Sequence, residues 1–220
     1  MATDMVTNSA GAEVLRRIRE AKGEGASAEA VRAGWSAIER RYRREATRPL
    51  EAVLELLEDR LLDYDARVVR VRNFGVATAV AKMLLERRVL RMVVPVGITP
   101  EWLPGGIEFV VDEDLPATEL DVVDGVMTGA TLAIAETGTV VLQNVAGQGR
   151  RAVTLVPDYH LCVVRVADVV ETVPEAMDRL QATAGLATTF VSGPSATADI
   201  EMTRIKGVHG PRFLDVILVD

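Results

Sequence analysis

One cysteine and two histidines among 220 residues leave little for metal or redox chemistry. A lone cysteine excludes an internal disulfide, and any iron–sulfur or all-cysteine zinc site built by this chain alone. The histidines, His160 and His209, lie far apart, and neither stands in a metal-ligand spacing. Net positive charge is missing too, since 25 basic residues face 32 acidic ones for a net charge of −7. That balance argues against a general nucleic-acid binder, whose usual mark is a basic face. Apolar stretches such as Met92–Val96 break off well before the roughly 18 residues of a membrane helix. Residues 1–11 are small and polar, without the basic start and apolar block of a signal peptide. With the lone Cys162 suiting a reducing compartment, these absences point to the cytoplasm. The sequence also holds no GxGxxG, Walker loop, HExxH, GxSxG or CxxC, so the standard nucleotide, zinc-hydrolase and serine-hydrolase readings have no support.

What is present is globular: 49% hydrophobic and 26% charged residues, in a length that suits one or two domains. Residues 1–60 are electrically neutral, and the entire negative excess falls on 61–220. The first part reads as helical. Val14, Leu15 and Ile18 recur at helical spacing within Gly11–Lys22. Ser27 can cap a second helix with a buried stripe along Ala30 or Val31, Ala33 or Gly34, and Ala37 or Ile38. Arg40, Arg41, Arg43 and Arg44 suit the negative end of that helix, or an anion or partner patch. After Pro49, the residues Leu50, Val53, Leu54, Leu57 and Leu61 form one apolar stripe.

From Val68 the rhythm becomes strand–helix–strand. Val68–Val71, Met92–Val96 and Ile107–Val111 read as buried strands, with an alanine-rich helix from Gly75 to about Arg88. Apolar strands of this kind predict a mostly parallel sheet covered by helices. Val122–Met127, Thr131–Ala135, Thr139–Leu142 and Val153–Val156 are then close-spaced strands with glycine-bearing turns, a β-rich insertion. Leu161–Val166, Thr188–Ser192 and Leu214–Val219 complete the strands, with a helix over Pro174–Ala184. The expected architecture is an α/β domain over 61–220 with an open, mostly parallel sheet, preceded by a helical extension over 1–60.

Three segments carry candidate chemistry. Glu136, Thr137, Gly138 and Thr139 are either a hairpin turn or a loop in which Glu136 acts as base, nucleophile or ligand-orienting acceptor. Ser192, Gly193, Ser195, Thr197, Asp199 and Glu201 leave a strand at an edge where open α/β sheets bind ligands. They can present backbone N–H groups to an anion, or simply cap a helix. His209, flanked by Gly207 and Gly210, can move a proton or orient a ligand, and Arg212 can grip an anion. His160 reads as a turn residue, Cys162 as buried and inert, and Gln143 to Arg151 as a flexible polar loop.

The runs IAETGTVVL, RRAVTLVPDYHLCVV, SGPSATADIE and GVHGPRFLDVILVD, in this order over roughly residues 60–220, resemble the lactate-utilisation (LUD) domain family. Within it they resemble the stand-alone C component of the bacterial three-part system. The resemblance implies a sheet like that of the sugar-phosphate isomerase and CoA-transferase group, with ligand sites at the carboxyl ends of the strands. It implies a part in oxidising L-lactate to pyruvate beside two iron–sulfur partner proteins. No cluster ligands lie in this chain, so electron transfer would belong to those partners. It singles out Glu136 and His209 as catalytic candidates. Thr137, Gly138, Thr139, Ser192, Gly193, Ser195, Thr197, Asp199, Glu201 and Arg212 would be ligand-binding. Asp215 departs from the family pattern, where a histidine or another polar residue is more usual. The leading expectation is a non-redox component binding a small carboxylate or an organic cofactor. The alternatives are a transferase or isomerase acting on a CoA thioester or sugar phosphate, and an assembly factor without chemistry.

Overall fold

A computed structural model describes residues 4–23, 25–197, 205–207 and 210–220. The chain divides into two units, Met1–Tyr42 and Arg43–Asp220. The first holds helices α1 (Asp4–Lys22) and α2 (Ala28–Ala37). Ser27 caps α2, its hydroxyl accepting from the Ala30 backbone N–H at 3.1 Å. Two expectations fail here. α1 begins at Asp4 rather than Gly11, and the stripe expected to be buried in α2 is not: Ala30, Val31, Ala33, Gly34, Ala37 and Ile38 are all exposed. Two helices of this length have too little apolar surface to close a core between them. Arg40 does serve the carbonyl end of α2, donating to the Trp35 and Ile38 carbonyls. The division falls at residue 42/43 rather than near 60, so the next helix belongs to the larger unit.

That helix, α3 (Leu50–Asp63), follows Pro49, whose missing N–H costs nothing at a helix start. Val53, Leu54, Leu57 and Leu61 are buried on one face, each removing apolar area worth about 1.5–3 kcal/mol for a full side chain. Leu50, at the helix start, stays exposed. Then follow β1 (Arg67–Val71), α4 (Val76–Arg87), β2 (Arg91–Pro95), β3 (Glu108–Asp112), α5 (Ala117–Leu120), β4 (Gly125–Gly129), β5 (Leu132–Ile134), β6 (Thr139–Gln143) and β7 (Tyr159–Arg165). β8 (Val169–Val170), α6 (Val173–Leu180), β9 (Thr188–Val191), β10 (Ala196–Thr197), β11 (Ile205–Lys206) and β12 (Phe213–Val219) complete the described elements.

Six strands form one parallel sheet in the order β1-β12-β7-β4-β2-β3. One face packs on α4, through Val80, Leu84, Met92, Leu161 and Ile217. The other packs on α3 and on a second, four-stranded sheet ordered β8-β5-β6-β9, through Leu57, Leu61, Val140, Cys162 and Val216. The expected α/β sheet with helices is therefore present. The β-rich insertion is the small sheet, although β4 belongs to the parallel sheet instead. Val153–Val156, expected as a strand, starts within a 3-10 turn, Arg151–Thr154. Its β-branched composition mimics a strand, but Gly149 at φ +74° and Pro157 bracket a bend that buries Val153 among Val93, Leu120 and Val126.

The stretch from Gln143 to Arg151 is not a loose loop. Buried Gln148 accepts from the Thr131 hydroxyl at 2.9 Å and the Gln143 N–H at 2.7 Å, while Arg150 clasps Asp112 through two bonds. Among the described residues no helix is long and apolar enough to cross a membrane.

Candidate functional site

A recess of about 310 Å³ opens where the two sheets meet, lined by Arg151, Thr154, His160, Ser192, Gly193 and Ser195 together with Gly210 and Pro211. His160 is the second residue of β7, and Gly210–Pro211 lead into β12. The recess therefore lies at the amino ends of these parallel strands, not at the carboxyl ends expected from the fold group. The small sheet causes this. The Ser192–Thr197 segment leaves β9, a strand of that sheet, and crosses toward the start of β12. There the Ser195 N–H donates to the Pro211 carbonyl at 2.8 Å, and the Gly207 N–H donates to the Ser195 carbonyl at 3.0 Å. Two segments separate in sequence thus meet at one wall.

The hairpin β5–β6 reaches the same wall through hydroxyls. Thr137 and Thr139 share a hydrogen bond of 2.7 Å, and Thr139 shares another of 2.7 Å with Ser192. Gly138 (φ +57°) and Gly193 (φ +80°) both press on the end of α3. An added Cβ would lie 2.7 Å from Arg60 Cβ in the first case and 2.5 Å from Tyr64 Cβ in the second. Replacing Gly193 by alanine is expected to cost about 2–4 kcal/mol, from left-handed strain plus this overlap, read as a lowered thermal midpoint. These glycines are explained by packing without any ligand.

Glu136 stands apart from the recess. Its carboxylate is paired with Arg43, which also binds Glu171. Glu171, with its side chain fully buried, further accepts from Arg48 Nη1 at 2.8 Å and from the Thr47 and Arg48 N–H groups at 2.7 and 3.0 Å. Burial alone would raise its carboxyl. The Arg48 N–H, the Arg43 guanidinium and the Thr47 N–H outweigh that and hold it at about 2. Thr197 lies in β10, opposite Ile205 of β11. Arg212 is exposed and faces Asp158 at 3.4 Å. His209, Asp199 and Glu201 lie outside the described residues.

The residue the sequence reading placed wrongly is His160. It is buried in β7 rather than part of a turn, and Nε2 shares a 2.8 Å hydrogen bond with Thr128 Oγ1. Burial, and then the charge of Arg151, push the imidazole down to about 4, so it is neutral at pH 7. The signal was available: the run Tyr159–Val164 reads as one buried strand only if the histidine is included, but Pro157-Asp158 suggested a turn. Cys162 is buried, its thiol pushed up to about 12 by burial, as suits an inert side chain. Among the described residues no group of three His, Cys, Asp or Glu side chains is placed to hold a metal. Among the described residues the recess thus offers one guanidinium, one neutral imidazole and several hydroxyls, a chemistry for orienting a small anion.

Residues 117–219, from α5 to β12, match the family model described as the LUD domain. Over 170 residues the chain is 46% identical to "Lactate utilization protein C" of Deinococcus radiodurans, covering 76% of this chain and 79% of that one. The chain belongs to the LUD domain family. Other LUD relatives align over less: "Lactate utilization protein C" of Shouchella clausii is 34% identical across 107 residues, 46% of each chain. A crystal structure of a DUF162 family protein from Deinococcus radiodurans superposes on the LUD chain with a TM-score of 0.70 at 41% identity, covering 79% of this chain and all of that one. The region matched by the LUD model contains every lining residue of the recess.

Proposed function

We propose that this chain serves lactate utilisation as a component without a redox centre of its own, binding a small carboxylate or an organic cofactor in the recess. The observation that carries this reading is the 46% identity across 79% of a protein named for lactate utilisation. The polar lining of the recess, within the segment that matches the family model, supports a ligand-binding part. Oxidising L-lactate to pyruvate releases two electrons, so the reading calls for redox partners, two iron–sulfur proteins, and a cytoplasmic setting. A transferase or isomerase reading with Glu136 as nucleophile is disfavoured by the ion pair between Glu136 and Arg43, outside the recess.

The reading is tested in cells and in solution. Deleting the gene is expected to abolish growth on L-lactate as sole carbon source, and a plasmid copy is expected to restore it. The purified chain alone, given L-lactate and an artificial electron acceptor, is expected to turn over no faster than the protein-free control. Full turnover by the single chain would sink the proposal.

A further inference from the structure

Arg150 and Arg151 are neighbours with opposite fates. Arg150 is committed to Asp112 by a two-bond clasp, whereas among the described residues Arg151 bonds through Nη1 alone, to the carbonyl and hydroxyl of Thr154 at 3.0 and 3.1 Å. No carboxylate among the described residues pairs with Arg151, although it lines the recess beside buried His160. A guanidinium that no described carboxylate pairs with, at the wall of a concave site, is an anchor for a ligand carboxylate, which it can bind through two parallel bonds.

His160 supplies the second half. Among the described residues, no buried side-chain nitrogen or oxygen lacks a partner, and Thr128 engages only Nε2 of this ring. Among the described residues nothing else bonds this ring, and the buried His160 lines the recess. A neutral imidazole nitrogen suits an uncharged oxygen and penalises a second carboxylate brought against it. Ser192, whose hydroxyl is shared with Thr139, lies on the same wall.

We propose that Arg151 and His160 make the recess a site for short 2-hydroxy or 2-oxo monocarboxylates. The carboxylate lies on the guanidinium, and the C2 oxygen lies toward His160 and Ser192. This rests on the reading of the chain as a lactate-system component and adds the residues and the ligand class. Neither Arg151 nor His160 stands among the ligand-binding or catalytic residues expected from the sequence. Arg212, which does, is drawn to Asp158 instead.

Calorimetric titration of the purified full chain with L-lactate, pyruvate, propionate and L-malate tests the inference. L-Lactate or pyruvate is expected to bind roughly tenfold or more tighter than propionate, which lacks the C2 oxygen, and than malate, which adds a charge. Comparison of the first two ligands tells the hydroxy form from the oxo form. Arg151→Gln is expected to weaken the better ligand by roughly tenfold or more, with the thermal midpoint nearly kept. Because a His160 variant risks the fold, the wild-type ring is watched instead: the ¹⁵N resonance of Nδ1 is expected to shift on ligand addition.

Unchanged binding in Arg151→Gln, equal affinity for propionate, or no binding of any acid would overturn the inference. Lost binding alongside normal complementation in cells removes this inference and leaves the component reading standing. Binding as described alongside undisturbed growth of the deletion strain supports the site and removes the lactate-system reading.

Discussion

Replacing Asp215 by alanine is expected to destabilise the fold by about 3–5 kcal/mol, the usual cost of leaving one partner of a buried ion pair alone. Asp215 is fully buried in β12, where it accepts from Arg87 Nε at 2.8 Å, Arg87 Nη2 at 2.5 Å and the Tyr159 hydroxyl at 2.9 Å. The Arg87 guanidinium also lies over the rings of Tyr159 and Phe213, with centroid distances of 4.8 and 4.7 Å. Alanine would strand a mostly buried cation and a buried phenol at once. Urea unfolding reads the effect as a lower midpoint with an unchanged slope. Asp215→Leu combined with Arg87→Met is expected to recover much of the loss, because a well-packed apolar pair avoids the desolvation of both charges. If the single and double variants unfold alike, the ion pair is not the source of the cost. The Asp215 carboxylate is thus a locked structural anchor, not a free proton carrier.

The second large effect is expected at Glu171. Glu171→Ala removes the acceptor for two guanidiniums and two backbone N–H groups, and is expected to cost about 3–5 kcal/mol at neutral pH. It is also expected to change how stability depends on acid. The native carboxyl sits at about 2 against 4.5 for the free side chain. Its contribution is complete above about pH 4.5 and drains away as pH falls toward 2. His160, lowered from 6.5 to about 4, likewise favours the folded state above 6.5 and gives that up as pH falls toward 4. Wild-type stability should therefore decline in two overlapping stages on acidification, and Glu171→Ala should lack the lower one. Denaturant midpoints measured from pH 7 to pH 3 give the comparison. Parallel declines in the two proteins would refute the assignment of Glu171.

Periodicity carried much of the fold. The apolar stripe of α3 from Val53 to Leu61 and the apolar runs of β2 and β12 are buried as their patterns require, because burial is the dominant force on those segments. By contrast β1 and β3, also expected to be buried, are the edges of the sheet and stay mostly half-buried, with Val111 exposed. Pattern fails where a few residues have two competing uses. Val153–Val156 has strand composition, but a glycine with positive φ and a following proline bend it. Val31, Gly34 and Ile38 repeat at helical spacing but find no core in so short a unit. At the site, the Ser192–Thr197 segment and Gly210–Pro211 were recognisable as glycine-bearing loops, and the structure brings them to one wall. Their meeting with Arg151 and His160 was not readable, because it depends on how the small sheet closes against the amino ends of β7 and β12.

Composition by itself removed the self-contained disulfide and the cysteine-held cluster, since one cysteine cannot supply either. Pattern by itself determined the α/β class and most strands, since alternation and apolar runs report local burial. Tertiary structure alone decided which charges are spent. It pairs Arg43 with Glu136 and Glu171, Arg87 with Asp215 and Arg150 with Asp112, and leaves Arg151 facing the recess. The reason is physical: an ion pair is set by distances between elements far apart in the chain, to which no local pattern is sensitive.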